Sequence, residues 1–189
     1  VLVSAGGGAV GGALLRAALL ARRGGCLADA GWRLLAGPNL PAPEFAALTA
    51  DLPAGVVVER YRPDLPQMLR RCRVSVSQAG YNTVLDILAA GTPAVLVPFA
   101  EERETEQTLR AEYLAARNVV EMVRPAALSP GRLAAAIVRA AERRPAALQI
   151  DMGGARRTAL AIARMLSERT KSGADRKFAT PPSDYRTGW

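Results

Sequence analysis

From residue 1 to about residue 143, strand-length apolar runs alternate with longer stretches of helical period, and no other feature restricts the fold so strongly. Apolar runs, most of them valine-rich, stand at residues 1–4, 32–36, 56–59, 74–77, 94–98 and 119–123. Between them, residues 13–23, 43–51, 63–71, 82–90 and 104–117 read as helices, and Ser129-Pro130 opens another that runs to about residue 143. Runs this apolar suit strands covered on both faces, and a helix after each strand returns the chain so that successive strands run parallel. The expected fold is therefore α/β, a Rossmann-like open parallel sheet of about six strands with helices on both faces. Residues 152–169 predict a terminal helix with Leu160, Ala163 and Leu166 on one side, and the polar stretch beyond, with Pro181-Pro182, predicts an irregular tail.

Composition narrows the chemistry. The chain has 189 residues, half of them hydrophobic and 5% aromatic, enough for one aliphatic domain and too apolar for a disordered chain. The predicted organisation is one domain over 1–169 and a basic tail over 170–189. Because the chain opens directly on a strand pattern, it reads as a fragment whose preceding domain is absent. No signal peptide is expected, because no basic segment precedes the early apolar run and glycines interrupt it. No apolar run is long enough to span a bilayer.

There is no histidine, and Cys26 and Cys72 form no CxxC pair, so a Cys/His zinc site is excluded and any general base is a carboxylate or lies outside this chain. Two lone cysteines fit a reducing cytoplasm. The net charge is +8, but residues 156–189 hold eight basic and three acidic residues and so contribute five of those charges. The basicity belongs mostly to the tail, where it suits contact with an anionic membrane surface or solubility. Without interleaved aromatics it does not predict nucleic-acid binding.

In open parallel sheets, ligands bind beyond the carboxyl ends of the strands. Three segments of suitable chemistry fall there. The first, Ser4-Ala5-Gly6-Gly7-Gly8-Ala9-Val10-Gly11-Gly12, matches GxGxxG at Gly6, Gly8 and Gly11, and glycines let backbone N–H groups approach an anion at a helix start. A tight strand-to-helix turn would leave the same trace. The second runs from Ser77 to Asp86, with Gly80 for a sharp turn, Asn82 and Thr83 on the first helical turn, and Asp86 one turn on, within reach of a ribose. Thr83-x-x-Asp86 also has the form of a capping box. The third runs from Val97 to Gln107, where Glu106 and Gln107 are suited to sugar hydroxyls, although acids at a helix start also serve simply to complement its dipole.

In this order the segments resemble the C-terminal, donor-binding domain of GT-B glycosyltransferases of family 28, whose members include the enzyme that adds N-acetylglucosamine to a lipid-linked peptidoglycan precursor. The resemblance covers residues 1–166. It is most specific over 77–107, where Gly-x-x-Thr-x-x-acid, Ala90-Gly91-Thr92-Pro93, Val97-Pro98-Phe99 and a terminal Gln occur at near-family spacing. It implies that Gly6, Gly7 and Gly8 line the loop facing a diphosphate. It places Gly80, Asn82 and Thr83 on the phosphates, Asp86 on the ribose hydroxyls, and Arg60 and Tyr61 with backbone groups on the uracil edge. Tyr81, Phe99, Ala100, Glu106 and Gln107 would face the donor sugar.

The implied activity is transfer of a hexose or N-acetylhexosamine from a UDP-sugar to an acceptor, inverting, with no metal or other cofactor, in the cytoplasm or at the inner face of the membrane. A lipid-linked acceptor is implied by the resemblance alone. Three departures stand out: Asp86 replaces the usual Glu, no hydroxyl follows the first glycines, and Glu106 stands where Gln is frequent. A UDP-sugar epimerase or hydrolase of related architecture, or a non-catalytic nucleotide-sugar-binding module, would carry the same segments. A dehydrogenase fits less well, because Leu34-Leu35-Ala36-Gly37-Pro38 lacks the acid expected at the end of its second strand.

Overall fold

A computed structural model describes residues 1–6, 10–99, 105–143 and 154–172. The chain divides into two units, Val1–Leu148 and Gln149–Trp189. Six strands are described in the first: β1 (Leu2–Ser4), β2 (Trp32–Leu35), β3 (Val56–Glu59), β4 (Ser75–Ser77), β5 (Ala94–Leu96) and β6 (Glu121–Met122). Helices α1 (Gly12–Arg23), α2 (Ala42–Thr49), α3 (Leu65–Arg71), α4 (Tyr81–Ala90) and α5 (Glu106–Ala115) follow the first five strands in turn, and α6 (Pro130–Glu142) follows β6.

All strand pairs are parallel, in the order β3-β2-β1-β4-β5-β6, so the expected Rossmann-like sheet is the observed one. Strand periodicity sorts side chains between two cores. Val1, Val3, Trp32, Leu34, Val74, Val76, Val95 and Val97 pack in one cluster with Leu15 of α1 and Leu133 and Ile137 of α6. Leu2, Leu35, Ala94 and Leu96 enter the other, with Leu69 of α3, Val84 and Ile87 of α4, and Leu114 of α5. Helices thus cover both faces. Burial pushes both cysteine thiols above their ordinary pKa, so neither Cys26 nor Cys72 is primed as a nucleophile.

The element ends follow local chemistry. Ser129 caps α6, its hydroxyl accepting from the Arg132 N–H at 3.3 Å, with Pro130 in the first helical position. Gly91 closes α4 in the left-handed conformation. The last strand is shorter than its apolar run: Val119 and Val120 are buried ahead of the two-residue β6, and Val123, buried just after it, donates its N–H to the Leu96 carbonyl of β5 at 3.0 Å. The second unit holds α7 (Gly154–Ser172), three residues longer at its C-terminus than the expected helix, and Leu160, Ile162, Met165 and Leu166 on it are exposed. Residues 173–189, read from sequence as tail, lie outside the described residues. Among the described residues no helix is long and apolar enough to cross a membrane.

Candidate functional site

The strand order changes direction at β1, which lies between β2 and β4. The chain leaves β1 toward β2 and β3 and then returns to its other side, so the loops after β1 and β4 diverge and open a crevice at the carboxyl edge. Ser4 and Ser77, in register at the last position of each strand, mark it. Gly6 turns there with φ of 72°, and a Cβ at that position would lie 3.3 Å from Oε1 of Gln78. Any side chain would crowd the opposite loop as well as strain the backbone, so the position suits glycine twice over. Gly11 is needed where α1 approaches β1, since a Cβ there would collide with that of Ala5.

A cavity of about 270 Å³ opens at this edge. Gly6 and Thr83, from the first two segments singled out in the sequence, line it together with Arg60 and Tyr61, joined by Ser4 and Arg62; none of the third segment's described residues lines it. Both arginines are engaged. Arg60 Nη1 donates to the carbonyls of Leu40 (2.9 Å) and Pro38 (3.3 Å), its guanidinium lies 4.3 Å from the Phe45 ring centre, and its own carbonyl accepts from Gly37 N–H. Arg62 grips both oxygens of Asp64 at 2.8 Å, which holds that carboxyl down at about 2.

Helix α4 starts at Tyr81 with Gly80 as its N-cap, so Thr83 lies inside the first turn and the capping-box geometry is not formed. No side chain caps this end and its first turn contains no acid, which leaves N–H groups and the positive end of the dipole uncompensated. Tyr81 and Asn82 are exposed. Asp86, half-buried, follows Thr83 by three residues and so shares its helix face; among the described residues its carboxylate has no hydrogen bond or ion pair, arginine included. It does not line the cavity itself.

At α5 the arrangement differs. Glu106 occupies the first turn, 89% exposed, with Arg110 Nη2 3.6 Å away. Gln107 Oε1 accepts from the Phe99 N–H at 3.1 Å, which ties α5 to the end of β5 and leaves the amide N–H groups of Gln107 unused by that bond. Gly7, Gly8 and Ala100 lie outside the described residues.

Three residues at this edge were not singled out from the sequence: Ser4, Arg62 and Arg110. Ser4 already closed the first strand run without being assigned a role, and Arg62 lies past the end of β3, next to Tyr61, where following the chain beyond that pair would have found it. Arg110 gave no such signal, because an Arg four residues after a Glu reads as an ordinary solvated pair.

A larger cavity, about 430 Å³, lies between α1 and α2. Its walls are Leu19, Leu20 and Leu48, and its rim carries two largely exposed ion pairs, Arg16–Glu44 and Arg23–Asp51. It lacks the converging polar groups of the smaller cavity, and none of the residues singled out from sequence lines it.

The sequence model of the glycosyltransferase family 28 C-terminal domain matches residues 37–164. The UDP-N-acetylglucosamine--N-acetylmuramyl-(pentapeptide) pyrophosphoryl-undecaprenol N-acetylglucosamine transferase of Brucella anthropi is 37% identical over 93 residues, 49% of this chain and 24% of that protein. Among solved structures, the calicheamicin glycosyltransferase CalG4 superposes with a TM-score of 0.60 at 25% identity, covering 91% of this chain and 38% of its own. The spinosyn rhamnosyltransferase SpnG, complexed with thymidine diphosphate, gives 0.56 at 22% identity, covering 90% and 41%. The chain spans about a quarter of the length of the curated relative it matches.

Proposed function

This chain belongs to the glycosyltransferase family 28 C-terminal domain family, and from that premise we propose that it is the donor-binding part of a glycosyltransferase, seating the diphosphate of a UDP-sugar between the Gly6 loop and the first turn of α4. One observation carries the reading: the α4 N-terminus, free of acids and side-chain caps, faces the same crevice as Gly6. The Brucella anthropi relative is named for a UDP-N-acetylglucosamine substrate, and the SpnG structure holds a nucleoside diphosphate, both in keeping with a ligand of this class.

Each group then has a task. Backbone N–H groups at Gly6 to Gly8 and at Tyr81 to Thr83, with the Thr83 hydroxyl, hold the phosphates. Asp86 accepts from the ribose hydroxyls. Backbone groups of Arg60 and Tyr61 meet the base edge, with Arg60 held in place by its carbonyl contacts. Tyr81, Phe99, Ala100, Glu106 and Gln107 face the sugar. In the transfer step an acceptor oxygen forms its bond to the anomeric carbon as the bond from that carbon to the diphosphate oxygen breaks, with inversion and without a metal. The electron pair leaves on the diphosphate, where fixed N–H dipoles stabilise the growing charge.

This chain has no histidine, and on this reading the acceptor site and general base come from the rest of an enzyme of its relatives' length. Such an enzyme would work in the cytoplasm, at the inner membrane face if its acceptor is lipid-linked. Calorimetric titration with UDP-, GDP- and TDP-sugars tests the proposal. Binding of UDP-sugars, weakened by Asp86→Ala, is expected; no affinity for any nucleoside diphosphate would overturn it.

A further inference from the structure

The side chain of Arg110 connects three parts of the edge that lie far apart in sequence. Its Nη1 donates to the Ala79 carbonyl at 2.7 Å, a charge-assisted bond to the residue just before Gly80. Its guanidinium carbon lies 5.5 Å from the centre of the Tyr81 ring, and its Nη2 is 3.6 Å from Glu106. At 23% exposure it is far more enclosed than Glu106, so the carbonyl bond and the ring are its principal partners and the carboxylate a solvated one. Ala79 is fully buried, and Gly80 after it has extended backbone (φ −60°, ψ 145°) in place of the sharp turn expected from sequence, so a link anchored on both sides of Gly80 has few ways to move. Gln107 meanwhile fixes the same first turn of α5 to the end of β5 through Phe99.

We infer that Arg110 is a positioning residue of the donor site. It locks the Ala79-Gly80 link to the start of α5, so that the N–H groups assigned to the diphosphate and the side chains assigned to the sugar are held as one unit. The role rests on the donor-site reading for its ligand and on the structure alone for its mechanics. It is carried by a fork of N–H donors over a ring, which an ammonium on a flexible stem reproduces only in part.

The test uses the full chain as Arg110→Met, which keeps the aliphatic stem, and Arg110→Lys, which keeps the charge. In the absence of ligand, amide hydrogen exchange over residues 78–85 is expected to quicken by about tenfold in Arg110→Met, while β2 and β3 exchange at wild-type rates. UDP binding should weaken by about tenfold in Arg110→Met and about threefold in Arg110→Lys, with UMP changing by less than about twofold. Unchanged exchange over 78–85 in Arg110→Met overturns the inference. So does faster exchange spread evenly over β2 and β3, or an equal loss for UDP and UMP, since either marks general loosening. A wild-type chain that binds no nucleoside diphosphate defeats the donor reading, while the ligand-free exchange still decides whether Arg110 holds the link.

Discussion

The first turns of α4 and α5 stand at the same edge of one sheet and are built oppositely. The α4 start is capped by Gly80 and contains no acid, whereas α5 opens with Glu106. Both helices present four N–H groups without helical partners, so backbone geometry alone would make either an anion site. The difference lies in what each side chain does to the local field. Glu106 compensates its own dipole, whereas among the described residues no first-turn acid or side-chain cap compensates that of α4. Gly6, just after β1, lines the same cavity as Thr83 of α4, across a crevice that the strand order creates. On the proposed reading, a donor laid across both helices has its phosphates on α4 and its neutral, hydroxyl-rich part toward α5.

The largest expected effect comes from making α4 resemble α5. Asn82→Asp adds an acid to an exposed first-turn position and should stabilise the helix by about 0.5 kcal/mol through the dipole. It should nevertheless weaken UDP binding by about 2 kcal/mol, roughly thirtyfold, from repulsion at about 7 Å in an effective dielectric near 20. Calorimetry paired with thermal melting checks the opposed signs, and unchanged affinity would break the comparison. Next is Asp86→Ala, expected to reduce UDP affinity by about tenfold while leaving 2′,3′-dideoxy-UDP nearly unaffected, since the lost hydrogen bonds are to the two ribose hydroxyls. The reverse exchange at α5 is milder. Glu106→Gln should change UDP affinity by less than about threefold, because that carboxylate is exposed and screened, and should alter the ranking among UDP-sugars instead.

The smallest effect concerns the far wall of the cavity. Asp64, held at about 2 by Arg62, has a folded-state pKa below its ordinary 3.8. Its contribution is present above the higher of these values and is lost as pH falls through about 4 toward 2. The pair is partly exposed and screened by solvent, so Arg62→Met should only slightly flatten the fall in melting temperature over that range.

Much of this contrast was legible before any coordinates. Strand runs two or more residues long with alternate faces buried, such as Val74–Ser77 with Val76 and Ser77 on opposite sides, specify a two-faced parallel sheet, and the positions of Gly6, Gly80 and Glu106 at strand-to-helix junctions follow from it. The assignment of Thr83 was ambiguous, because a capping box and a first-turn hydroxyl differ by three residues in where the helix begins. Packing decided it by starting α4 at Tyr81. Arg110 was illegible for a different reason. Its partner carbonyl belongs to Ala79, 31 residues earlier, and only the docking of α5 beside α4 brings the two together. The arginines of the cavity wall act as struts, because the carbonyls of Pro38 and Leu40 hold Arg60 and the carboxylate of Asp64 holds Arg62, partners that the sequence order does not reveal.

Backbone amide shifts followed by NMR during titration of the full chain with UDP test the central assignment most directly. Saturable shifts at Gly6 and at Tyr81, Asn82 and Thr83, with none at Leu19 and Leu20 in the larger cavity between α1 and α2, are the predicted result. Shifts confined to that larger cavity, or none at the first turn of α4 under saturating UDP, would contradict it.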